Sequence, residues 1–415
     1  MRVLMLSWEY PPKSVGGLAR HVYDLTHALV KNGVDVHLVT CGGQGAPAYE
    51  RDGGVNVYRV APYHVSSPDF VTWVVQLNVA MLERIIPLLW EIGEFNILHA
   101  HDWLVAYAAK ALKHAQRLPL VVTIHATEYG RNGGLHNDMQ RHISDIEWWL
   151  TYEAWRVICC SQFMKGEVRH VFQLPDDKVK VIQNGVDPAN FSGRSRKTRR
   201  TDYAASDEKI IFYVGRLVRE KGVQVLLDAA PQILAHQHNT KFVIAGKGPF
   251  EESLKKQAAL LGIANRVYFT GYIDDDVRNN LYHWADVAVF PSTYEPFGIV
   301  ALEAMAARTP VVVADSGGLD EIVNHGLDGL KTYSGNSHSL AQNILAVLKN
   351  PALGERLREN AFRRVQREFN WLEIARETAG VYREVWEANR SMPWLYTERQ
   401  GKIFDRVYRL LSKNG

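Results

Sequence analysis

The fold class predicted here is α/β, with two doubly wound domains facing each other across a central cleft. Three observations predict it. Short apolar runs alternate with helix-length segments of 3.6-residue spacing. The alternation stops at a polar, basic stretch and then restarts. At 415 residues the chain exceeds one ordinary domain. Strands alternating with helices of this length imply a parallel sheet covered on both faces, and runs such as VVTI and RVICC are apolar throughout, as that burial requires.

In chain order, Val3 to Leu6 reads as a first strand, and LARHVYDLTHALVKNG has helical spacing and stops at Gly33. DVHLVT, VNVYRV, a long helix from about Val71 to Glu91, and NILHAH follow. Next come a helix from about Val105 to Leu118, PLVVTIH, a helix around IEWWLTYEAW, and RVICCS. Residues 1–190 form the first domain. The segment SGRSRKTRRTDYAASDEK lacks periodicity, so 191–209 is a linker, and Arg194, Arg196, Lys197, Arg199 and Arg200 read as its solvated charge. Residues 210–375 repeat the pattern through IIFYVGR, KFVIAG, VYFTGY, VAVFPS and TPVVVAD, and helices close the chain over 376–415.

Composition excludes several function classes. With 48 basic and 45 acidic side chains the formal charge is +3, too balanced to argue for nucleic acid. Three cysteines, two of them the adjacent Cys159 and Cys160, make no disulfide framework and suggest a cytoplasmic protein. MRVLMLSW is too short for a signal peptide, and no apolar run approaches the ~20 residues that span a bilayer.

In open α/β sheets ligands sit beyond the carboxyl ends of the strands, so the informative residues follow each strand. In the first domain, Gly16 and Gly17 open a helix whose bare N–H groups can meet an anion. His99, His101 and Asp102 follow NIL, and His125 follows VVTI. His-Ala-His-Asp fits no standard metal spacing, and no Cys or Glu completes it, so no metal is expected. In the second domain, GRLVREKG sets Arg216 and Lys221 five residues apart at a strand end, a pairing suited to a diphosphate. GKGP, with Lys247, and GYIDDD add glycine turns at the same edge. The acidic run Asp274, Asp275 and Asp276 reads as a helix cap.

YEPFGIVALEAMA places Glu295 and Glu303 eight residues apart, with Pro296 suited to the first position of a helix. The amides of Phe297, Gly298 and Ile299 would then be free at the helix dipole's positive end. Some 12 Å of axial separation, at ~1.5 Å per residue, is too far for a metal pair. It also exceeds the roughly 5 Å between the carboxyls of a retaining glycosidase. Two separate grips on hydroxyl groups remain.

Taken together, the GGL loop, His125, GRLVREKG and E-x7-E in EPFGIVALEAMA resemble the retaining nucleotide-sugar glycosyltransferases of family 4. That family has the GT-B fold of two Rossmann-like domains, and the resemblance covers about residues 1 to 385. SWEYPP…GGL and HDW are also similar to glycogen and starch synthases, which implies a glucosyl donor. The resemblance assigns catalytic roles to Arg216, Lys221, His125 and Glu295. It assigns donor contacts to Gly16, Gly17, Gly215, Lys247, Tyr272, Ile273, Phe297, Gly298, Ile299, Val300 and Glu303, and acceptor or cleft positions to Asp102 and Asn184. Arg216 and Lys221 would neutralise the diphosphate, Glu295 would hold sugar hydroxyls, and Glu303 the ribose. Tyr272 and Ile273 would lie near the base. One departure stands out: the synthases carry Lys two residues before Gly-Gly, whereas Lys13 lies three before it.

On this reading the partners are a nucleoside-diphosphate sugar donor, with UDP-glucose favoured, and a saccharide or lipid-linked acceptor. No nucleic acid, metal or other cofactor is required, because side-chain cations replace the metal. ADP-glucose, mannosyl or N-acetylglucosaminyl donors are the nearer alternatives. A sugar-nucleotide epimerase or a non-enzymatic nucleotide-sugar binder is the alternative of another class. Two expectations concern the C-terminus. The helix with Lys402, Arg406, Arg409 and Lys413 could rest on an anionic membrane face or pack on its own protein. VYREVW, around Tyr382, is the candidate for a return to the first domain.

Overall fold

A computed structural model describes residues 1–43, 45–63, 65–193 and 198–391. Arg194, Arg196, Lys197 and the basic segment with Lys402, Arg406, Arg409 and Lys413 lie outside the described residues.

The first domain runs β1 (Arg2–Ser7), α1 (Gly17–Lys31), β2 (Asp35–Cys41), β3 (Tyr49–Asp52), β4 (Val55–Val60) and α2 (Phe70–Ile92). It continues with β5 (Ile97–His101), α3 (Ala106–Gln116), β6 (Leu120–Ile124), α4 (Glu128–Asn132) and α5 (Asp138–Glu153). β7 (Arg156–Cys159), α6 (Gln162–Phe172) and β8 (Val179–Val181) complete it. The second runs β9 (Lys209–Val214), α7 (Val223–His236), β10 (Thr240–Ala245), α8 (Glu251–Leu260), β11 (Val267–Gly271) and α9 (Asp275–Trp284). Then come β12 (Val287–Phe290), α10 (Ile299–Ala306), β13 (Val311–Ala314), α11 (Gly318–Ile322) and β14 (Leu330–Thr332). Three helices, α12 (Ser337–Lys349), α13 (Pro351–Glu368) and α14 (Trp371–Ser391), close the described chain.

The sheets have orders β3-β4-β2-β1-β5-β6-β7-β8 and β11-β10-β9-β12-β13-β14. Among the described residues every strand pairing is parallel except β3 with β4, at an edge. Strand order therefore reverses next to β1 and next to β9, and a doubly wound sheet opens its crevice at such a reversal. β5, β6, β12 and β13 are buried along their whole length, since helices cover both faces.

α14 returns to the first domain earlier than residue 376. Trp371, Ile374, Ala375 and Tyr382 pack in one core with Val3 and Met5 of β1 and Val22 and Leu25 of α1. The Tyr382 hydroxyl lies 2.7 Å from His99 Nδ1, so the crossing helix reaches under the cleft.

α2 corrects the reading of apolar runs. At 23 residues it is long and apolar enough, by composition, to match a membrane span. One face of it, with Val74, Leu77, Met81, Ile85 and Leu88, is core of the first domain.

Candidate functional site

α1 begins at the glycine pair, with Gly16 at the N-cap and Gly17 as the first helical residue. A residue unnoticed in the sequence fixes this loop. Glu9 Oε2, 3% exposed as a residue, accepts from Val15 N at 2.6 Å and Gly16 N at 3.1 Å. Burial raises its pKa above the ordinary value against those two hydrogen bonds. Lys13 takes another course: Nζ lies 3.0 Å from Cys41 Sγ and over the rings of Trp8 and Trp73. A Cβ added at Gly17 would stand 3.4 Å from Ile299 Cδ1, so the loop faces the start of α10 across the cleft.

That start differs from expectation. Helix α10 begins at Ile299 rather than Pro296, with Gly298 as its N-cap at φ 110°. The strain-free way to hold this φ is glycine, and a Cβ there would also meet the Leu319 side chain at 2.6 Å. Glu295 therefore sits on the loop, and only Glu303 projects from the helix. The Pro296 carbonyl accepts from Ser161 Oγ of the first domain at 2.6 Å, which ties the loop across the cleft.

Lys221 donates to Glu295 Oε2 at 2.7 Å, and Ser292 Oγ donates to the same oxygen at 3.1 Å. These residues meet because Gly222, at φ 73°, presses its Cα against the Pro291 carbonyl, where a Cβ would lie 1.8 Å from the oxygen. Thr293 N then donates to Glu220 O at 2.8 Å, clamping one loop to the other. Arg216 is held loosely, 3.6 Å from Glu220 and 46% exposed, so it can reach a ligand. Its carbonyl accepts from the Tyr213 hydroxyl, which lies against Gly215. Lys247 is exposed beside Gly271, and Tyr272 is 73% exposed at the tip of the next loop, with Ile273 half-buried.

Glu303 is also engaged. Arg278 Nη1 lies 3.4 Å from its Oε1, and the Tyr282 hydroxyl, 3.2 Å from its Oε2, also reaches the Val300 carbonyl at 3.1 Å. Asp274 caps α9 by accepting from Val277 N, and Asp275 pairs with Arg278 at 2.9 Å. Arg20 of α1 lies 3.5 Å from Asp275, so a chain of charges crosses the cleft. Arg278 and Tyr282 escaped notice because an Arg and a Tyr four apart on a helix look like ordinary surface and core.

The first-domain wall is different in kind. Asp102, 4% exposed, adopts φ 58° and ψ 175°, a backbone region that disfavours any side chain. Its Oδ1 accepts from His125 N at 2.7 Å, fixing the loop that carries the imidazole. Burial raises Asp102 to about 6 and lowers His125 to about 3, with the Arg131 guanidinium adding to the latter. His101 Nδ1 lies 3.1 Å from His125 Nε2, and His21 Nδ1 lies 2.7 Å from Asn184 Oδ1. His99 is tied to Tyr382 and Thr123. Burial holds His21, His99 and His101 well below the usual histidine range, so all four rings are neutral at pH 7. Glu147 of α5, unnoticed in the sequence, is pushed up to about 8 by burial although Glu128 N donates to both its oxygens.

These imidazoles bear on metal binding. One ligand atom each of His21, His101 and His125 lies within 4.8 Å of the others. Nε2 of His21 and of His101 is buried with no hydrogen-bond partner among the described residues. A set of three imidazoles suits a borderline cation such as zinc. His21 from α1 is the third ring, which the spacing of His99 and His101 could not reveal.

The two walls meet at Cys160, whose thiol lies 3.6 Å from the Pro296 carbonyl of the other domain. Burial pushes that thiol up, and the charges of Asp102, Glu295 and Glu321 add to the shift. An open cavity of about 430 Å³, lined by Asp315, Asp320, Lys331 and Tyr333, lies elsewhere and includes none of the residues singled out in the sequence.

Comparison with known proteins agrees with this architecture. Residues 15–190 match the model of Glycosyltransferase Family 4, and residues 195–364 that of Glycosyl transferases group 1. An uncharacterized glycosyltransferase of Methanocaldococcus jannaschii is 43% identical over 388 residues, 92% of this chain and 98% of that protein. A glycogen synthase of Mycobacterium tuberculosis is 36% identical over 397 residues, 92% of this chain and 94% of that protein. Among solved structures, a sucrose-phosphate synthase from Thermosynechococcus elongatus superposes with a TM-score of 0.81 at 25% identity, over 94% of this chain and all of that one. With its two parallel-sheet domains and these relatives, the chain belongs to the group 1 glycosyltransferases of GT-B fold.

Proposed function

We propose that this transferase moves a glucosyl group, with retention of configuration, from a nucleoside-diphosphate sugar to a saccharide acceptor. UDP-glucose is the favoured donor and ADP-glucose its main competitor. The observation that carries this reading is the contact of Lys221 with Glu295 beside Arg216. Two cations that suit a diphosphate and a carboxylate that suits sugar hydroxyls then stand together beyond the carboxyl ends of the neighbouring strands β9 and β12. The synthase-like loop SWEYPP…GGL and the glycogen synthase relative favour glucose.

The bond between C1 and the diphosphate oxygen breaks, and charge gathers on the leaving group. Arg216 and Lys221 stabilise that charge as it forms. The acceptor hydroxyl attacks C1 from the same face, and its proton passes to the departing diphosphate oxygen. His125, neutral and fixed by Asp102, contacts the sugar. Glu303 holds the ribose once Arg278 yields its place. No metal is assigned to the step, and the protein is placed in the cytoplasm.

A panel of nucleotide sugars, followed by release of nucleoside diphosphate and by the anomeric configuration of the product, tests the proposal. Release with UDP-glucose and an α-linked product is expected. An inverted product would end the retaining reading. Donor epimerised without an acceptor would favour the epimerase, and binding without turnover the non-enzymatic module.

A further inference from the structure

Four aromatic rings from three separate segments meet at the first-domain rim. Trp8 follows β1, Trp103 follows β5, and Phe70 and Trp73 open α2. α2 connects two parallel strands, so it begins at their carboxyl ends, the edge that faces the cleft. Trp8 and Trp73 meet edge to face at 6.4 Å, Phe70 stacks on Trp73 at 5.6 Å and 9°, and Phe70 meets Trp103 at 6.0 Å. Trp103 is only 4% exposed, whereas Phe70 is 48% exposed. The ladder is thus anchored beside Asp102 and opens outward at Phe70.

A second observation points to a polar ligand. Gln76, three residues beyond Trp73 on the same helix, has its Oε1 buried with no hydrogen-bond partner among the described residues. Its Nε2 donates weakly to Val65 O at 3.4 Å. The Lys13 ammonium is engaged with the Trp8 and Trp73 rings and with Cys41. Flat rings, an unmet amide oxygen and an occupied cation suit a ligand with apolar faces and hydroxyl edges.

We infer that Phe70, Trp73 and Gln76 form an acceptor subsite for a neutral oligosaccharide, whose reactive end reaches Asp102 and His125. The inference rests on the glycosyl-transfer reading for what happens at that end. A sugar ring stacks on Phe70 through its C–H face, and the Gln76 amide, released from its weak bond to Val65, turns Oε1 outward to accept from a hydroxyl.

Phe70→Ala, Gln76→Ala and the wild type are assayed with maltoheptaose and with maltose as acceptors, and tryptophan fluorescence is titrated with maltoheptaose alone. Phe70 is half-exposed, so its removal should leave the fold intact, as far-ultraviolet circular dichroism checks. The variant Phe70→Ala is expected to raise KM for maltoheptaose about tenfold, since an aromatic stacking contact is worth roughly one factor of ten. Its kcat, its KM for maltose and its slow donor hydrolysis should stay within twofold of wild type, and Gln76→Ala should act in the same direction. Unchanged KM for maltoheptaose in both variants overturns the subsite, and so does an equal rise for both acceptors. If donor is turned over but only a sugar phosphate accepts, the subsite falls while glycosyl transfer stands. If maltoheptaose quenches wild-type fluorescence but not that of Phe70→Ala, and no donor is ever turned over, the subsite stands and the transfer reading falls.

Discussion

The two walls of the cleft solve opposite electrostatic problems. The second-domain wall keeps full charges in contact, Lys221 with Glu295 and Arg278 with Glu303. The first-domain wall suppresses charge on its rings and on Glu147: His21, His99, His101 and His125 are held neutral and Glu147 is pushed up to about 8, while Asp102, raised only to about 6, keeps its charge at pH 7. The difference follows from what each wall would meet. A diphosphate needs preorganised cations, and pairing them with carboxylates keeps them oriented while the site is empty. A reacting sugar carbon is served by uncharged donors and acceptors, which burial supplies.

The strongest way to break this contrast is to remove a cation from the charged wall. Lys221→Ala and Arg216→Ala should each lower kcat by about 10²–10³, the usual cost of losing one preorganised stabiliser. Thermal unfolding should change little for Arg216→Ala, because that side chain is 46% exposed. Near-normal turnover in both variants would remove the diphosphate role from this wall.

The two glutamates sharpen the contrast within the charged wall. Glu295→Ala should lower kcat and blur the choice between glucose and its epimers, by about tenfold or more, since it strips Lys221 of its partner as well. Glu303→Ala should instead raise the nucleoside-diphosphate Kd about tenfold while kcat falls less, read by calorimetry beside steady-state rates. Exchanged phenotypes would reverse the ends of the ligand.

What the sequence made legible was the strand ends, and what it hid was how they pair. Arg216 and Lys221 were readable because a cation after a strand and a glycine has few reasons to be there. The contact of Lys221 with Glu295 spans 74 residues and depends on a positive φ at Gly222, which no local spacing displays. Pro296 looked like a helix start, yet Gly298 holds that place: the chain bends at Pro296 and Phe297, and the Pro296 carbonyl accepts from Ser161 of the other domain. On the first-domain wall Asp102 and His125 were legible as strand ends. His21, Glu147 and Glu9 were not: His21 meets Asn184 across 163 residues, Glu147 meets the Glu128 amide across 19, and Glu9 acts through buried bonds to loop amides that no residue spacing displays. The return of α14 was legible at Tyr382 but begins at Trp371.

Glu147 tests the neutral wall through stability. A carboxyl whose folded pKa is about 8 binds a proton that the unfolded chain releases near 4.5. Its protonated form therefore favours the folded state below about pH 4.5, and that advantage is lost as pH rises towards 8. Urea unfolding of the wild type should weaken over this interval by on the order of a few kcal/mol relative to Glu147→Gln, in which no proton is gained or lost. Parallel pH profiles of the two proteins would show that Glu147 is already charged when folded.

The smallest expected effect is the response to chelation, and it tests whether the neutral wall works as bare imidazole. His21, His101 and His125 could hold a cation, and the two orphaned Nε2 atoms make the site chemically credible. On the transfer reading, a bound zinc would place a positive charge beside the developing oxocarbenium and oppose the transition state that Arg216 and Lys221 would assist from the other side. The transfer reading therefore expects turnover within twofold of untreated enzyme after dialysis against a chelator, with less than one metal equivalent lost by elemental analysis. A large loss restored by zinc, and absent in His21→Ala, would instead make the first-domain wall a metal site and end its description as bare imidazole.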